Sequence, residues 1–224
     1  MIIAVDGPAG AGKSTACKLL AKQLGYTYLD TGAMYRAIAW IADAENLNIR
    51  DETEIARRLN LLPLRFALDN GALSIFYGEK KLVQELRQPE ISMRASRISQ
   101  LECVRDYLTR HQRQLGKEGG VVAEGRDMTT VVFPDAPIKI YLTANLKARA
   151  LRRLLEYRDK GITADLADLE AQIRARDEAD EQRALAPLRA TPGVSIVDTS
   201  HMTVTEVVAH LLEMIHRERA EKDA

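Results

Sequence analysis

Residues 7–15 read G-P-A-G-A-G-K-S-T, following the apolar run Ile2-Ile3-Ala4-Val5 and ahead of a helical pattern over 13–24. A G-x-x-x-x-G-K-[ST] loop between a strand and a helix commits this stretch of chain to one task. Its backbone N–H groups must wrap a phosphate at a helix N-terminus, whose dipole favours anions. The expected donor-side contacts are Gly7, Pro8, Ala9, Gly10, Ala11, Gly12, Lys13, Ser14 and Thr15. Lys13 supplies a point charge for the β- and γ-phosphates, and the Ser14 hydroxyl is placed to ligate Mg²⁺. The loop predicts binding of a nucleoside triphosphate.

The fold class follows from how strand-like runs recur along the chain. Strand-like runs lie at 2–5, 27–29, 120–124, 138–142 and 194–198, with helical segments between them. That alternation predicts an α/β protein, a P-loop NTPase-type five-stranded parallel sheet flanked by helices. One region departs from it. Leu64–Leu68, the turn Asp69-Asn70-Gly71, and Leu73–Tyr77 read as a small antiparallel β insert, spanning 62–83 with a brief third strand after Gly78-Glu79-Lys80. Helices are expected near 91–100, 101–115 and 203–219, the last with Thr203 as N-cap and Glu206 three residues on. The whole of 1–224 reads as a single domain.

Bulk properties narrow the partners. With 32 Lys+Arg against 32 Asp+Glu the formal net charge is zero, which argues against a non-specific nucleic-acid binder. No apolar run approaches the roughly 18 residues of a membrane span. The first strand starts at Ile2, leaving no room for a signal peptide, so a reducing cytoplasm is the expected compartment. Cys17 and Cys103 show no metal spacing; Cys17 reads as a small buried thiol, with a reactive cysteine as the alternative.

Ligands on parallel sheets sit beyond the carboxyl ends of the strands, so the residues following each strand carry the functional information. Asp30-Thr31-Gly32-Ala33-Met34-Tyr35-Arg36 follows the second run and Glu124-Gly125-Arg126-Asp127 the third. Arg149, Arg152 and Arg153 open the helix after the fourth, and Arg176-Asp177-Glu178-Ala179-Asp180-Glu181-Gln182-Arg183 ends a further helix. Guanidinium groups suit phosphates through their planar donor fork. Arg149 and Arg153 are four apart on one helix face, a repulsive placement unless an anion lies between them. Arg152 and Arg158 read as solvated helix charges. Arg126-Asp127 could also be a turn with an internal ion pair, and 176–183 a charged helix face. The histidines, His111, His201, His210 and His216, read as helix-face or terminal residues.

Taken in order, G-P-A-G-A-G-K-S-T, D-T-G-A-M-Y-R at 30–36, E-G-R-D-M at 124–128 followed by T-V-V-F-P-D-A, and R-D-x-x-D-x-x-R at 176–183 followed by Ala186-Pro187-Leu188 resemble the bacterial-type cytidylate kinase family, within the nucleoside monophosphate kinases. The likeness runs from residue 1 to about 215, and the 62–83 insert resembles the one that sets this family apart from adenylate kinases. The resemblance implies transfer of the γ-phosphoryl group of ATP to CMP or dCMP, with Mg²⁺, in pyrimidine nucleotide metabolism, by a monomer.

It also implies roles. Arg36 and Arg126 hold the CMP phosphate; Arg153, Arg176 and Arg183 approach the transferred group, making Lys13, Arg126, Arg153 and Arg176 the catalytic set. Arg149 meets the adenine or the triphosphate. Asp127, Ser96 and Arg105 surround the base, Asp180 meets the ribose, and Thr31 belongs to the same CMP-binding region, approximately 31–115. A short lid is expected over 156–166 with Gly161 as its bend. Thr31 stands where many relatives carry serine, and Glu124 where others carry aspartate; Glu124 could reach Mg²⁺ through water or only cap a turn.

Two other readings compete. A kinase for another small acceptor shares the loop and the sheet, but the Arg126-Asp127 pair and the insert count against it. A nucleotide-dependent switch calls for N-K-x-D and D-x-x-G signatures, and neither is present in the sequence.

Overall fold

The computed structural model of the chain describes residues 1–223. Its elements run β1 (Ile2–Asp6), α1 (Lys13–Leu24), β2 (Thr27–Asp30), α2 (Thr31–Ala44), α3 (Glu52–Leu59), β3 (Leu64–Asp69), β4 (Ala72–Tyr77), β5 (Lys80–Lys81), α4 (Pro89–Ile98) and α5 (Glu102–Gly116). They continue with β6 (Val121–Glu124), β7 (Ile138–Thr143), α6 (Leu146–Asp159), α7 (Leu166–Gln182), β8 (Ser195–Asp198) and α8 (Val204–Asp223). The five parallel strands stand in the order β2-β6-β1-β7-β8, as the alternation of runs predicts. Placing β1 at the centre, with chain to either side of it, opens a crevice at its carboxyl end.

Each face of the sheet is buried by a different set of helices, and the strand alternation shows why. Ile3 and Val5 of β1, Val122 of β6 and Ile138, Ile140 and Leu142 of β7 point to one face, packed by Ala16, Cys17 and Leu20 of α1 and Val208, Leu211 and Ile215 of α8. Ala4, Leu29, Val121 and Ala123 point to the other, under α2, α4 and α5. In α2 the buried Met34, Ala37, Ile38, Ile41 and Ala42 recur at helical spacing. Asp30 caps that helix, its carboxylate accepting from the Ala33 N–H at 2.8 Å.

The insert forms the expected meander. Asn70 and Gly71 both take positive φ (49° and 74°), the requirement of a tight two-residue hairpin between β3 and β4. It is not a separate module: β4 joins the main sheet beside β2 at Tyr28 and Ala72, so the antiparallel strands extend the parallel ones. At the far end, α6 and α7 form a hairpin whose own small core is Ala150, Leu169 and Ile173. Thr203 caps α8 as read, exchanging hydrogen bonds with Glu206.

Candidate active site

The glycine loop leaves β1 through a passage too narrow for a side chain. Gly7 has φ +146°, and a Cβ there would lie 2.0 Å from the Leu142 carbonyl oxygen. Gly10, at φ +76°, lies against Arg149, whose Cβ would be 3.0 Å from an added methyl. The loop ends where α1 begins at Lys13. Lys13 is buried and its Nζ donates to the Gly7 and Pro8 carbonyls, both at 2.7 Å. Burial, and then the Arg126 charge, push its pKa down to about 7. The negative charge of an arriving polyphosphate would oppose both effects and raise it again.

A cavity of about 650 Å³ opens beside the loop. Ten Lys or Arg against five Asp or Glu line it, so a chain of zero net charge still presents one strongly cationic site. It joins Ala9, Gly10, Ala11, Gly12, Lys13, Ser14 and Thr15 to Thr31, Arg36, Ser96, Arg105, Arg126, Asp127, Arg153, Arg176, Asp180 and Arg183. The residues singled out after each strand are thus brought to one place, from stretches up to 170 positions apart, counted from Lys13 to Arg183.

The cations fall into two groups. Arg36 donates to Asp30 at 2.8 Å, Arg126 Nε to Asp180 at 2.8 Å, and Arg105 to Asp127, while Arg183 Nη1 lies 3.9 Å from Asp180. Burial pushes the Asp180 carboxyl up, but the Arg126 and Arg176 charges outweigh it and hold the group below its usual range. Lys13, Arg153 and Arg176 make no ion pair among the described residues. Arg153 lies 5.4 Å over the Tyr157 ring. The Arg176 Nε is buried without a hydrogen-bond partner, and burial with Arg126 nearby lowers the pKa of this arginine to about 10. An arginine so placed is short of a negative charge.

Three sequence expectations meet a different arrangement. Arg149 does not line the cavity: it donates to the carbonyls of Ala144 and Ala9 and to Asp177 at 2.5 Å. The anion that relieves its repulsion with Arg153 is therefore the Asp177 carboxylate, and Arg149 braces the glycine loop from behind. Arg152 is not a solvated charge; it lines the cavity and donates to the Thr199 hydroxyl and carbonyl. Gly7 and Pro8 do not line the cavity, and their carbonyls hold Lys13. Arg158 is exposed, and no histidine lines the cavity.

Further contacts join residues on the cavity wall and behind it. The Tyr28 hydroxyl donates to the Glu124 carboxylate, which is buried at the end of β6 beside Ser14 and Lys13. Burial, and then Asp30, push the Glu124 carboxyl up. Thr31 spends its hydroxyl proton on the Glu124 carbonyl at 2.6 Å. Tyr35 lines the cavity with the Arg105 guanidinium 5.7 Å over its ring. Thr31 and Tyr35 lie in the 30–36 run and Glu124 in the 124–128 run, whereas nothing in the sequence flags the Tyr28 contact. Among the described residues no cluster of three His, Cys, Asp or Glu could hold a metal alone. The oxygen set of Ser14 and Glu124 does fit Mg²⁺, which commonly takes one or two protein oxygens and completes its shell with phosphates and water.

A glycine loop at a helix N-terminus, on a parallel sheet with β1 central and a cation-lined cavity at its carboxyl end, defines a P-loop nucleotide phosphotransferase. A crystal structure of an uncharacterized protein from Eubacterium ventriosum shares the fold, with a TM-score of 0.54 at 11% identity over 96% of this chain and 98% of that one. The family model described as cytidylate kinase matches residues 3–217. The cytidylate kinase of Carboxydothermus hydrogenoformans is 43% identical over 97% of this chain and 98% of its own. That of Caldicellulosiruptor bescii is 41% identical over 96% and 95%. The chain belongs to the cytidylate kinase family, ATP-dependent nucleoside monophosphate kinases.

Proposed function

We propose that the cavity transfers the γ-phosphoryl group of ATP to CMP or dCMP, giving ADP and CDP or dCDP, with each half of the site doing a distinct job. The glycine loop and Lys13 hold the triphosphate. Arg36 and Arg126 hold the acceptor phosphate, Asp127, Arg105 and Ser96 meet the base, and Asp180 meets the sugar. Arg153 and Arg176, with Arg183 behind them, neutralise the group in flight. The observation that carries this reading is that Lys13, Arg153 and Arg176 face the cavity with no ion pair, while Arg36, Arg105 and Arg126 are already matched to aspartates.

The chemistry asks for no general base. A phosphate monoester loses its second proton near pH ~6, so the acceptor oxygen is already anionic at neutral pH. Catalysis is then alignment of two anions and cancellation of the charge between them. Mg²⁺, when bound, would add positive charge across the transferred group, held by Ser14 and, through water, Glu124. Cytosine carries an amino donor where uracil carries a carbonyl acceptor, so the Asp127 carboxylate welcomes one and repels the other.

We assign residues 31–115 to the acceptor side and 156–166 to a short lid. In support, α6 ends at Asp159, Gly161 takes φ +70°, and the α6–α7 hairpin packs on a core of its own. We also propose a cytoplasmic monomer. The thiols of Cys17 and Cys103 are free, and no helix among the described residues is long and apolar enough to cross a membrane.

The deciding assay is ADP release from ATP-Mg²⁺ with CMP, dCMP, UMP, AMP, GMP and shikimate in turn. Turnover confined to CMP and dCMP is expected. Equal turnover with another acceptor refutes the assignment of the acceptor half.

A further inference from the structure

Asp6 is the last residue of β1, fully buried, and no part of the phosphate-loop motif calls for it. Strands β1 and β6 pair through Val5 and Glu124, and the Gly125 N–H closes the ladder on the Val5 carbonyl. Beyond that point the chains part: one becomes the glycine loop, the other becomes Arg126 and Asp127. The Asp6 carboxylate spans the gap. One oxygen accepts from the Met128 N–H at 2.8 Å; the other accepts from the Thr129 N–H at 2.8 Å and the Thr129 hydroxyl at 2.7 Å. These are the two residues directly after Asp127, at the start of the π-helical turn Met128–Val132.

A fully buried carboxylate is costly to leave unpaired and is held in place when it accepts three bonds. Asp6 sits immediately before Gly7, and Lys13 is tied to the Gly7 carbonyl. One side chain thus joins the base of the donor loop to the base of the acceptor loop. No other side-chain hydrogen bond among the described residues links the strand end before Gly7 to the turn after Asp127.

We propose that Asp6 is a positioning residue for phosphoryl transfer, which through Met128 and Thr129 sets Arg126 and Asp127 at the right distance from the donor loop. The inference rests on Arg126 and Asp127 belonging to the acceptor half. A misplacement of about 1 Å in such a site costs on the order of 100-fold in rate, so the effect of loosening this tie is large enough to read.

Thr129→Val deletes one of the three bonds and keeps the shape of the side chain. Asp6→Asn keeps the size but turns one acceptor into a donor facing an N–H. Initial-rate kinetics with ATP and CMP varied separately, the CMP-over-UMP preference, and thermal unfolding are measured on both. The expected result is a kcat lowered about 10-fold in Thr129→Val and about 100-fold in Asp6→Asn, a KM for CMP raised along with it, a KM for ATP within about twofold of the parent, and a reduced preference for CMP. A folded variant with an unchanged KM for CMP, or with both KM values raised together, overturns the proposal. If Asp6→Asn does not fold, Thr129→Val decides. Asp127→Asn is run alongside. If it keeps the parent's CMP preference, Asp127 does not read the base, and the KM comparison alone then judges Asp6.

Discussion

The two halves of the cavity hold their cations in opposite ways. On the donor side Lys13 sits among backbone carbonyls with no carboxylate partner, desolvated and lowered to about 7. On the side we propose for the acceptor, Arg36, Arg105 and Arg126 are each matched to an aspartate. An unmatched buried cation is destabilising until an anion comes, so it favours whatever state brings the most negative charge near it. A matched one is already oriented and gains less from a ligand, but its geometry is set in advance. The first arrangement suits neutralising a phosphoryl group in transit, the second suits recognising a nucleotide.

The largest effect should come from the unmatched group. Arg176→Ala is expected to lower kcat by about 1000-fold with small changes in either KM, the signature of a contact made in the transition state. Arg36→Ala should instead raise the KM for CMP by about 10- to 30-fold with a smaller loss in kcat. If steady-state kinetics showed the same pattern for both, the division between matched and unmatched cations would be gone.

Asp127→Asn comes next. Loss of the charge removes the penalty on the uracil carbonyl, and the CMP-over-UMP preference in kcat/KM is expected to fall by about 100-fold while the KM for ATP holds. Competition between the two acceptors measures it directly.

A smaller effect tests the pairing itself through pH. The Asp180 carboxyl lies below its ordinary value of 3.8, against the push of burial, because of Arg126 and Arg176. A depressed carboxylate pKa contributes stability that is present above that ordinary value and lost as pH falls through the lowered one. Asp180→Asn should therefore flatten the acid limb of the unfolding free energy below about pH 4 relative to the parent. Parallel acid limbs in denaturant titrations would show that the pair contributes nothing.

The least change is expected at the thiols. Cys17 is fully buried under the loop and its pKa is pushed well up by burial, then by Glu124. Burial and Glu52 raise the half-buried Cys103 to about 11. Iodoacetamide at pH 8 should modify Cys103 slowly and leave Cys17 untouched until the protein unfolds. Prompt labelling of Cys17 would mean the donor side opens far more readily than its packing indicates.

How much was legible differs between the halves for the same physical reason. The donor loop works through backbone groups, and the conformation they need is written in contiguous glycines, so spacing alone identified it. The five parallel strands and the Asn70-Gly71 hairpin were legible because their patterns are local. The half we propose for the acceptor is made of side chains from α2, α4, α5, α7 and the turn after β6, and single arginines on helices look alike in sequence. Arg149 shows the consequence. Its spacing from Arg153 pointed to a bound anion, but Asp177, 28 positions further along, fills that place. Arg152 looked solvated until β8 brought Thr199 to it.

By itself, then, the sequence determined that this chain builds a triphosphate loop on a parallel α/β sheet, since strand alternation, glycine placement and lysine spacing act within a few residues. The tertiary structure alone decided which arginines stand free and which are paired, that β4 extends the sheet beside β2, that Tyr28 reaches Glu124, and that Asp6 ties the two loops together. The side-chain pairings depend on which carboxylate comes within about 3 Å of which donor, a distance that strand order and helix packing set.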